Sequence, residues 1–222
     1  EVLSRTRTDL KRRLAMMTQS NSLRNDMTPN QIMELQGRLY RMPLSEIRRR
    51  SKELLAFCGL EEHLGKIVRK LSGGMKRKLM LCRALLTQPS FLILDEPTVG
   101  LDPMSRRQIW ELLRRLNSQG LTVLLTTHYI EEAQALCDRG ALMNKGRIVR
   151  LDSPSHLISE LGEVAVDALS PNGTRAAFFK DKEAALAHAS RLTGPFLVRA
   201  TTLEDVFLSV VGSGLEGSKW AS

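Results

Sequence analysis

The sequence predicts an α/β protein built on a parallel sheet, with an inserted helical subdomain and a small C-terminal α+β appendix. Continuous apolar runs of strand length occur at 91–94 and 121–127, and a helical pattern separates them. The order strand, helix, strand is typical of a parallel sheet with right-handed crossovers. Two amphipathic helices are predicted within 28–70, and a different mixture of short strands and helices follows Pro154.

The composition is that of a globular protein. The chain has 222 residues and 42% hydrophobic content, which is enough for one sizeable core. Its formal charge of +9 would suit nucleic acid, anionic lipid or nucleotide phosphate. The aromatic content of 5% leaves few rings on which bases could stack, and this disfavours binding of single-stranded nucleic acid.

Several features bear on the cellular compartment. No stretch approaches the roughly 20 apolar residues that span a bilayer, and no charged-then-apolar leader opens the chain, so we expect it to be soluble. Cys58, Cys82 and Cys137 lack the close spacing of a metal site and fall on apolar helical positions. We expect them to be reduced, buried thiols of a cytosolic protein.

The first 70 residues are predicted to contain one strand and two helices. The apolar run 14–17 is interpreted as a buried strand that leads into Gln19. Thr28 is the predicted N-cap of the first helix, and Gln31 closes a capping box. The second helix is predicted to end at Gly59.

The central segment alternates helices and strands. Ser72 is predicted to cap a helix that extends towards Pro89. A strand over 91–94 follows, and Asp102 is placed to cap the next helix. The run 121–127 is then expected to form a second buried strand.

The remainder of the chain has the texture of an α+β appendix. A hairpin is predicted over 142–149, with its turn at 144–146. Further short strands are predicted at 163–169, 175–180 and 195–200, and helices at 182–192 and 202–211. The Gly/Ser-rich end from Gly212 is expected to be loose.

The segment Leu71-Ser72-Gly73-Gly74-Met75 has the chemistry of an anion site. It places a hydroxyl and two unhindered backbone amides at a predicted helix N-terminus, where N–H groups and the helix dipole favour negative charge. A phosphate would fit there. Because Ser-Gly-Gly is common, an ordinary capped helix after a glycine turn is the alternative.

Three polar side chains are predicted to meet at one edge of the sheet. Asp95 and Glu96 are adjacent at the end of one buried strand, so their side chains leave on opposite sides. One can therefore hold Mg²⁺ while the other polarises water. Two ionised carboxylates there would be costly without a cation or hydrogen-bond partners. His128 ends the next strand, where it could contact a terminal phosphate or the attacking water, although a lone histidine is usually structural.

Together these residues resemble the ABC (ATP-binding cassette) ATPase family. Five motifs match in chain order: Gln19 as the Q-loop glutamine, LSGGM at 71–75 as the signature, FLILDE at 91–96 as the Walker B strand, 99–103 as the D-loop and His128 as the switch histidine. The resemblance covers residues 10–150 and implies a P-loop-NTPase-like core with ATP and Mg²⁺ as cofactors.

The resemblance implies a role for each matched residue. Glu96 would be the general base, His128 the switch, and Gln19 the sensor of Mg²⁺ and of the membrane partner. Asp95 would bind Mg²⁺ through water. The remaining cofactor contacts would come from Leu71, Ser72, Gly73 and Gly74, which face the γ-phosphate of a nucleotide held by the opposite subunit, and from Asp102, which communicates across the dimer.

The resemblance also implies an organisation and partners. We expect a core segment with the Q-loop at 1–27, a helical subdomain at 28–70, an ATPase core at 71–150 and the appendix at 151–222. The segments 129–132 and 202–207 look like those of drug, polysaccharide and multidrug exporters. The partners would be a transmembrane permease and a second cassette in a head-to-tail dimer, on the cytosolic face of the membrane.

The sequence departs from the family in lacking the Walker A loop, G-x-x-x-x-G-K-[ST], whose amides and lysine cradle the phosphates. The nearest candidate, Gly65-Lys66, is followed by Ile67 and has Leu60 where a glycine is required. Since the chain also begins at Glu1 without a methionine, we expect a fragment of a normal domain that is inactive alone.

Two alternatives remain from the sequence. The first is a non-catalytic cassette that donates its signature motif to a partner's site. The second is a soluble ABC ATPase that acts on ribosomes or DNA, which the charge of +9 would suit.

Overall fold

The computed structural model describes residues 13–20, 22–171 and 173–212. They form two compact units, one ending at His128 and the other beginning at Tyr129. The finer domain boundaries expected from the sequence stay predictions. The tail beyond Gly212, which we expected to be loose, lies outside the described residues.

A three-stranded parallel sheet occupies the first unit. Its strands are β1 (Leu14–Met17), β2 (Phe91–Asp95) and β3 (Thr122–Thr126), with β2 in the centre. The pairing places Met17 beside Leu94 and Asp95 beside Thr126. The α/β class and the parallel sheet predicted from the apolar runs are thereby confirmed.

The two faces of this sheet differ in burial. One face bears Ala15, Met17, Leu92 and Leu94, all of which are buried. On the other face, Met16 and Leu124 are 55% and 51% exposed. The expectation that 121–127 is a buried strand is wrong, because among the described strands β3 pairs only with β2, and its alternate residues lie on the open face.

Two helices form the predicted helical insertion. Helix α1 spans Pro29–Leu39 and α2 spans Leu44–Phe57, and short 3₁₀ turns follow at Glu61–His63 and Val68–Lys70. The predicted capping box is present: the Gln31 amide donates to the Thr28 hydroxyl at 3.4 Å, and the Thr28 amide donates to the Gln31 side chain at 2.8 Å. These bonds fix where α1 begins.

The next two helices flank β2 in the chain. Helix α3 spans Gly73–Leu85 and α4 spans Pro103–Ser118. Their predicted N-caps are confirmed, because Ser72 Oγ accepts the Met75 amide at 3.2 Å and Asp102 accepts the Ser105 amide at 2.9 Å. The buried stripe of α4 is the predicted one: Ile109, Leu112, Leu113 and Leu116.

The second unit contains the predicted hairpin and appendix. Its elements are α5 (Ile130–Leu136), β4 (Gly140–Asn144), β5 (Arg147–Asp152), α6 (Pro154–Leu161), β6 (Val164–Ser170), β7 (Gly173–Phe179), α7 (Lys182–Ala189), β8 (Phe196–Ala200) and α8 (Leu203–Gly212). Strands β4 and β5 pair antiparallel, and β6 lies between β7 and β8 in a second antiparallel sheet. Leu142, Leu157, Leu203 and Val206 form one of its apolar cores.

The cysteines are free thiols, but they differ in burial. Cys58 and Cys82 are buried, as expected, whereas Cys137 is only half-buried. The expectation for Cys137 is wrong because this residue lies just after the last turn of α5. Within the described residues, no helix is long and apolar enough to cross a membrane.

Candidate functional site

The carboxyl ends of β2 and β3 bring the predicted acidic residues and histidine together. Asp95 is the last residue of β2, Glu96 follows it, and His128 lies two residues beyond β3. Neighbouring parallel strands end at the same edge of a sheet. Glu96 Oε2 lies 2.9 Å from His128 Nδ1, so the two side chains share a hydrogen bond.

The backbone of Glu96 is in the left-handed region, with a φ of +49°. A non-glycine residue there costs roughly 1 kcal/mol or more, so the surrounding structure must hold it in place. The Glu96 amide donates to the Thr126 carbonyl at 3.0 Å, which holds the residue in this conformation. The turn directs the half-buried carboxylate towards the end of β3, where His128 lies.

Asp95 lies on the open face of the sheet, beside Thr126. The Thr126 hydroxyl donates to Asp95 Oδ1 at 2.6 Å. This bond orients the carboxylate and leaves Oδ2 for another partner. The sequence predicts no role for Thr126, because the contact depends on the strand register, which pairs these two residues.

The signature residues lie at the start of α3. Leu71 is buried, and the Ser72 hydroxyl caps its own helix. A Cβ atom built on Gly74 would lie 2.6 Å from the Ser105 hydroxyl, whereas one on Gly73 would lie 3.8 Å from its nearest neighbour. Gly74 therefore permits a close approach of α3 to α4, and Gly73 has room around it.

Asp102 caps α4 close to this approach of α3 and α4, through Ser105. It accepts the Ser105 amide at 2.9 Å, and the hydrogen bonds from Ser105 hold the pKa of this exposed carboxyl below its ordinary value. Ser105 is thus in contact with both the signature and the D-loop. The predicted signature and D-loop residues form one cluster around it.

Gln19 is exposed and follows β1, and its backbone is held by Arg77 of α3. Arg77 Nη2 donates to the Gln19 carbonyl at 2.7 Å, and Nη1 donates to the Thr18 carbonyl at 3.2 Å. Arg77 is only 8% exposed. No sequence pattern indicates this role, since Arg77 lies within a run of basic residues, and such runs ordinarily form a solvated face.

The structure groups the predicted site residues in two clusters. One contains Asp95, Glu96 and His128, and the other contains the signature and Asp102. Ser72 and Asp95 share no hydrogen bond in the described part of the chain. Among the described residues, no three His, Cys, Asp or Glu side chains are grouped so that they could hold a metal by themselves.

Comparison with known proteins gives consistent relatives. The model of the ABC transporter family matches residues 1–99. The Nod factor export ATP-binding protein I of Paraburkholderia xenovorans is 35% identical over 227 residues, which cover 92% of this chain and 74% of that protein. The linearmycin resistance ATP-binding protein LnrL of Bacillus subtilis is 33% identical over 192 residues, which cover 86% of this chain and 61% of that protein.

A solved structure agrees with these relatives. The ATP-binding subunit of an ABC transporter superposes with a TM-score of 0.59 at 27% identity, over 70% of this chain and 65% of that chain. The parallel sheet and helices are those of a P-loop-NTPase-like fold, as predicted. The chain belongs to the ABC transporter family, as an ATP-binding protein of the exporter type.

Proposed function

We propose that the protein hydrolyses ATP and thereby drives export through a membrane permease. The observation that supports this most strongly is the hydrogen bond of 2.9 Å between Glu96 and His128 at the carboxyl edge of the sheet, next to Asp95. A carboxylate and an imidazole at one crevice can share the positioning and deprotonation of an attacking water.

Glu96 is the general base in this proposal. Its carboxylate is half-buried and its backbone is fixed by the Thr126 carbonyl, so it is held ready to accept a proton from water. His128 is 59% exposed at its side chain, which leaves the ring access to a terminal phosphate. The hydrogen bond between them fixes the ring relative to the base.

Asp95 and Gln19 would hold Mg²⁺. Within the described residues, the hydrogen bond from Thr126 goes to Asp95 Oδ1 and Oδ2 has no hydrogen-bond partner. A carboxylate with an amide oxygen suits Mg²⁺, which usually keeps several waters. When bound, Mg²⁺ neutralises charge on the β- and γ-phosphates. Two protein ligands are enough for a Mg²⁺ site of this kind, since the nucleotide phosphates and waters would supply the remaining ligands.

The start of α3 would bind the γ-phosphate of a nucleotide held mainly by a second cassette. Gly73 and Gly74 add no side chains of their own at the first amides of the helix, Gly73 has room around it, and such amides favour an anion. Ser72 adds a hydroxyl, and Leu71 anchors the turn by its burial. Asp102, joined to this cluster through Ser105, would report across the dimer interface.

The transport partner would be a transmembrane permease on whose cytosolic face the protein sits. Relatives named for Nod factor export and linearmycin resistance support an export function. The helical insertion, which follows Gln19 in the chain, would receive the permease contact.

The proposal is tested by purifying the protein, as its gene encodes it, from membranes. We expect a permease to co-purify and the complex to hydrolyse ATP only with Mg²⁺. Co-purification with ribosomes or DNA would favour the soluble ABC ATPase instead. A permease complex without turnover, in which a partner cassette hydrolyses ATP, would favour the non-catalytic donor.

A further inference from the structure

Arg77 connects two parts of the candidate site through backbone oxygens. One of its nitrogens, Nη2, donates to the Gln19 carbonyl at 2.7 Å and to the Glu96 carbonyl at 3.4 Å. The other, Nη1, donates to the Thr18 carbonyl at 3.2 Å. A single planar group therefore bridges the loop after β1 and the turn after β2.

Arg77 as a whole residue is 8% exposed, so its side chain is largely shielded from water. Burial lowers the pKa of Arg77, and the negative charge of Asp95 acts in the opposite direction. Burying a charge is costly unless it is paired and hydrogen-bonded. The three carbonyls and Asp95 provide that compensation, so the position of the guanidinium is tied to the positions of these groups.

A second arginine of α3 provides a comparison within the same helix. Arg83 donates to the Ser22 carbonyl at 3.0 Å and to the Ser22 hydroxyl at 2.6 Å. It therefore anchors the same loop after β1. The hydrogen bonds of Arg83 do not reach Glu96, which makes it a matched control for Arg77.

The backbone geometry at Glu96 makes the Arg77 bridge sensitive to movement of the loop that bears Gln19. The residue has a φ of +49° and depends on outside hydrogen bonds to keep that conformation. The bond from Nη2 at 3.4 Å is already long, so a small shift of the Gln19 loop that draws Nη2 away would break it. A displacement of about 1 Å at a reacting group can lower a rate about 100-fold.

We propose that Arg77 is a positioning residue that couples the loop bearing Gln19 to the backbone of Glu96. Arg77 fixes the position of the Glu96 carboxylate when the loop is in place. When the loop moves, the carboxylate is no longer held. This inference rests on the proposed function, in which Glu96 is the base and Gln19 responds to Mg²⁺ and the permease.

The test compares Arg77→Gln, Arg77→Lys and Arg83→Gln in the protein as its gene encodes it, with its permease. For Arg77→Gln we expect kcat to fall about 10-fold to 100-fold while KM for ATP changes less than about twofold. Arg77→Lys should restore part of kcat, because lysine donates hydrogen bonds but lacks the planar fork. Arg83→Gln leaves the Arg77 bonds to Gln19 and Glu96 in place, so it should lower kcat much less than Arg77→Gln does.

Thermal unfolding of each variant separates positioning from folding. If the loss in Arg77→Gln only follows a smaller folded fraction, or if KM rises as much as kcat falls, the proposal is wrong. It is equally wrong if Arg77→Gln retains full kcat while Glu96→Gln abolishes turnover. Full turnover in Glu96→Gln would instead overturn the assignment of Glu96 as the base, on which this inference rests.

Discussion

At the scale of single residues, the site is shaped by a few contacts that only the folded chain reveals. Thr126 orients Asp95, and Gly74 lets the signature helix α3 approach Ser105. Sequence patterns identified Asp95 and Gly74 by their motifs. Their contacts were not predictable, because they join segments whose relative placement is set by the register of β2 and β3 and by helix packing.

Replacement of Thr126 by valine tests the orientation of Asp95. The change keeps the shape of the side chain and removes the hydroxyl that donates at 2.6 Å. Because groups that orient a metal ligand commonly affect metal affinity 10-fold to 100-fold, we expect the Mg²⁺ concentration for half-maximal hydrolysis to rise about 10-fold. A magnesium titration of ATPase activity measures this.

Thr122→Val is the control for that substitution. Thr122 lies on the same strand and face but pairs with Phe91, at the other end of β2. We expect its magnesium titration to match the parent's. If Thr126→Val also matches the parent, Thr126 does not support a magnesium ligand.

Replacement of Gly74 by alanine tests the close approach of α3 and α4. The new Cβ would lie 2.6 Å from the Ser105 hydroxyl and 3.0 Å from the Ser105 Cβ, so Ser105 or the helix backbones must shift. We expect a loss of about 1–3 kcal/mol in the free energy of unfolding. Denaturant unfolding measures it, and Gly73→Ala, with its nearest neighbour at 3.8 Å, should show no such loss.

Ser105→Gly supplies the matched rescue. In that background the obstructing side chain is absent, so Gly74→Ala should no longer destabilise the protein. An equal loss in both backgrounds would show that the Ser105 contact is not the reason for glycine at position 74.

At the scale of elements, local signals were sufficient for most helices and strands. The capping box at Thr28, the cap at Asp102 and the turn at 144–146 lie where the sequence predicts them, because each depends on residues within one turn of the chain. The prediction that β3 is buried was wrong, because an apolar run does not reveal whether both faces of its strand are covered.

The appendix contains an ion-pair cluster that sequence patterns did not indicate. Arg199 of β8 donates to Asp167 of β6 at 2.7 Å and to Asp205 of α8 at 2.7 Å and 2.9 Å. The Thr202 amide donates to Asp205 at 2.8 Å. These bonds tie two strands and a helix together within the second unit.

The cluster predicts a pH-dependent stability of the second unit. Burial alone would raise the pKa of Asp205, but the hydrogen bonds from Arg199 and Thr202 outweigh it and hold that pKa below its ordinary value. A group with a lowered folded pKa stabilises fully above the unfolded pKa of about 3.9. We therefore expect its stabilisation to be present above about pH 4 and to be lost as the pH falls through the lower, folded pKa.

Asp205→Asn tests this by leaving Arg199 partly unpaired. We expect the second unit to lose about 3 kcal/mol near pH 7, seen as faster hydrogen exchange of the β6 and β8 amides. In the variant, the second unit should no longer lose stability at low pH through protonation of residue 205. Glu183→Gln, at an exposed position, is the control, and identical exchange in Asp205→Asn and the parent would contradict a stabilising role.

At the scale of the whole molecule, the motifs predicted the family and the meeting of Glu96 with His128. They did so because motif order and the rule that parallel strands end at one edge are properties of the fold. Arg77 could not be found this way, since its bond to the Gln19 carbonyl spans 58 residues and uses backbone oxygens, which have no signature in the sequence.

In the proposed function, the protein hydrolyses ATP with Glu96 as the base. Glu96→Gln keeps the shape of the side chain and removes its ability to accept a proton. We expect turnover by the permease complex to fall at least about 100-fold, because general-base catalysis contributes about 10²–10⁴. Binding of Mg-ATP should stay within about twofold.

The most direct measurement is therefore phosphate release from Mg-ATP by the Glu96→Gln complex, with nucleotide binding measured in parallel. Glu111→Gln, at an exposed position of α4, controls for the loss of one negative charge and should keep the parent's turnover. We expect the Glu96→Gln complex to bind ATP without cleaving it. Turnover equal to the parent's would contradict it.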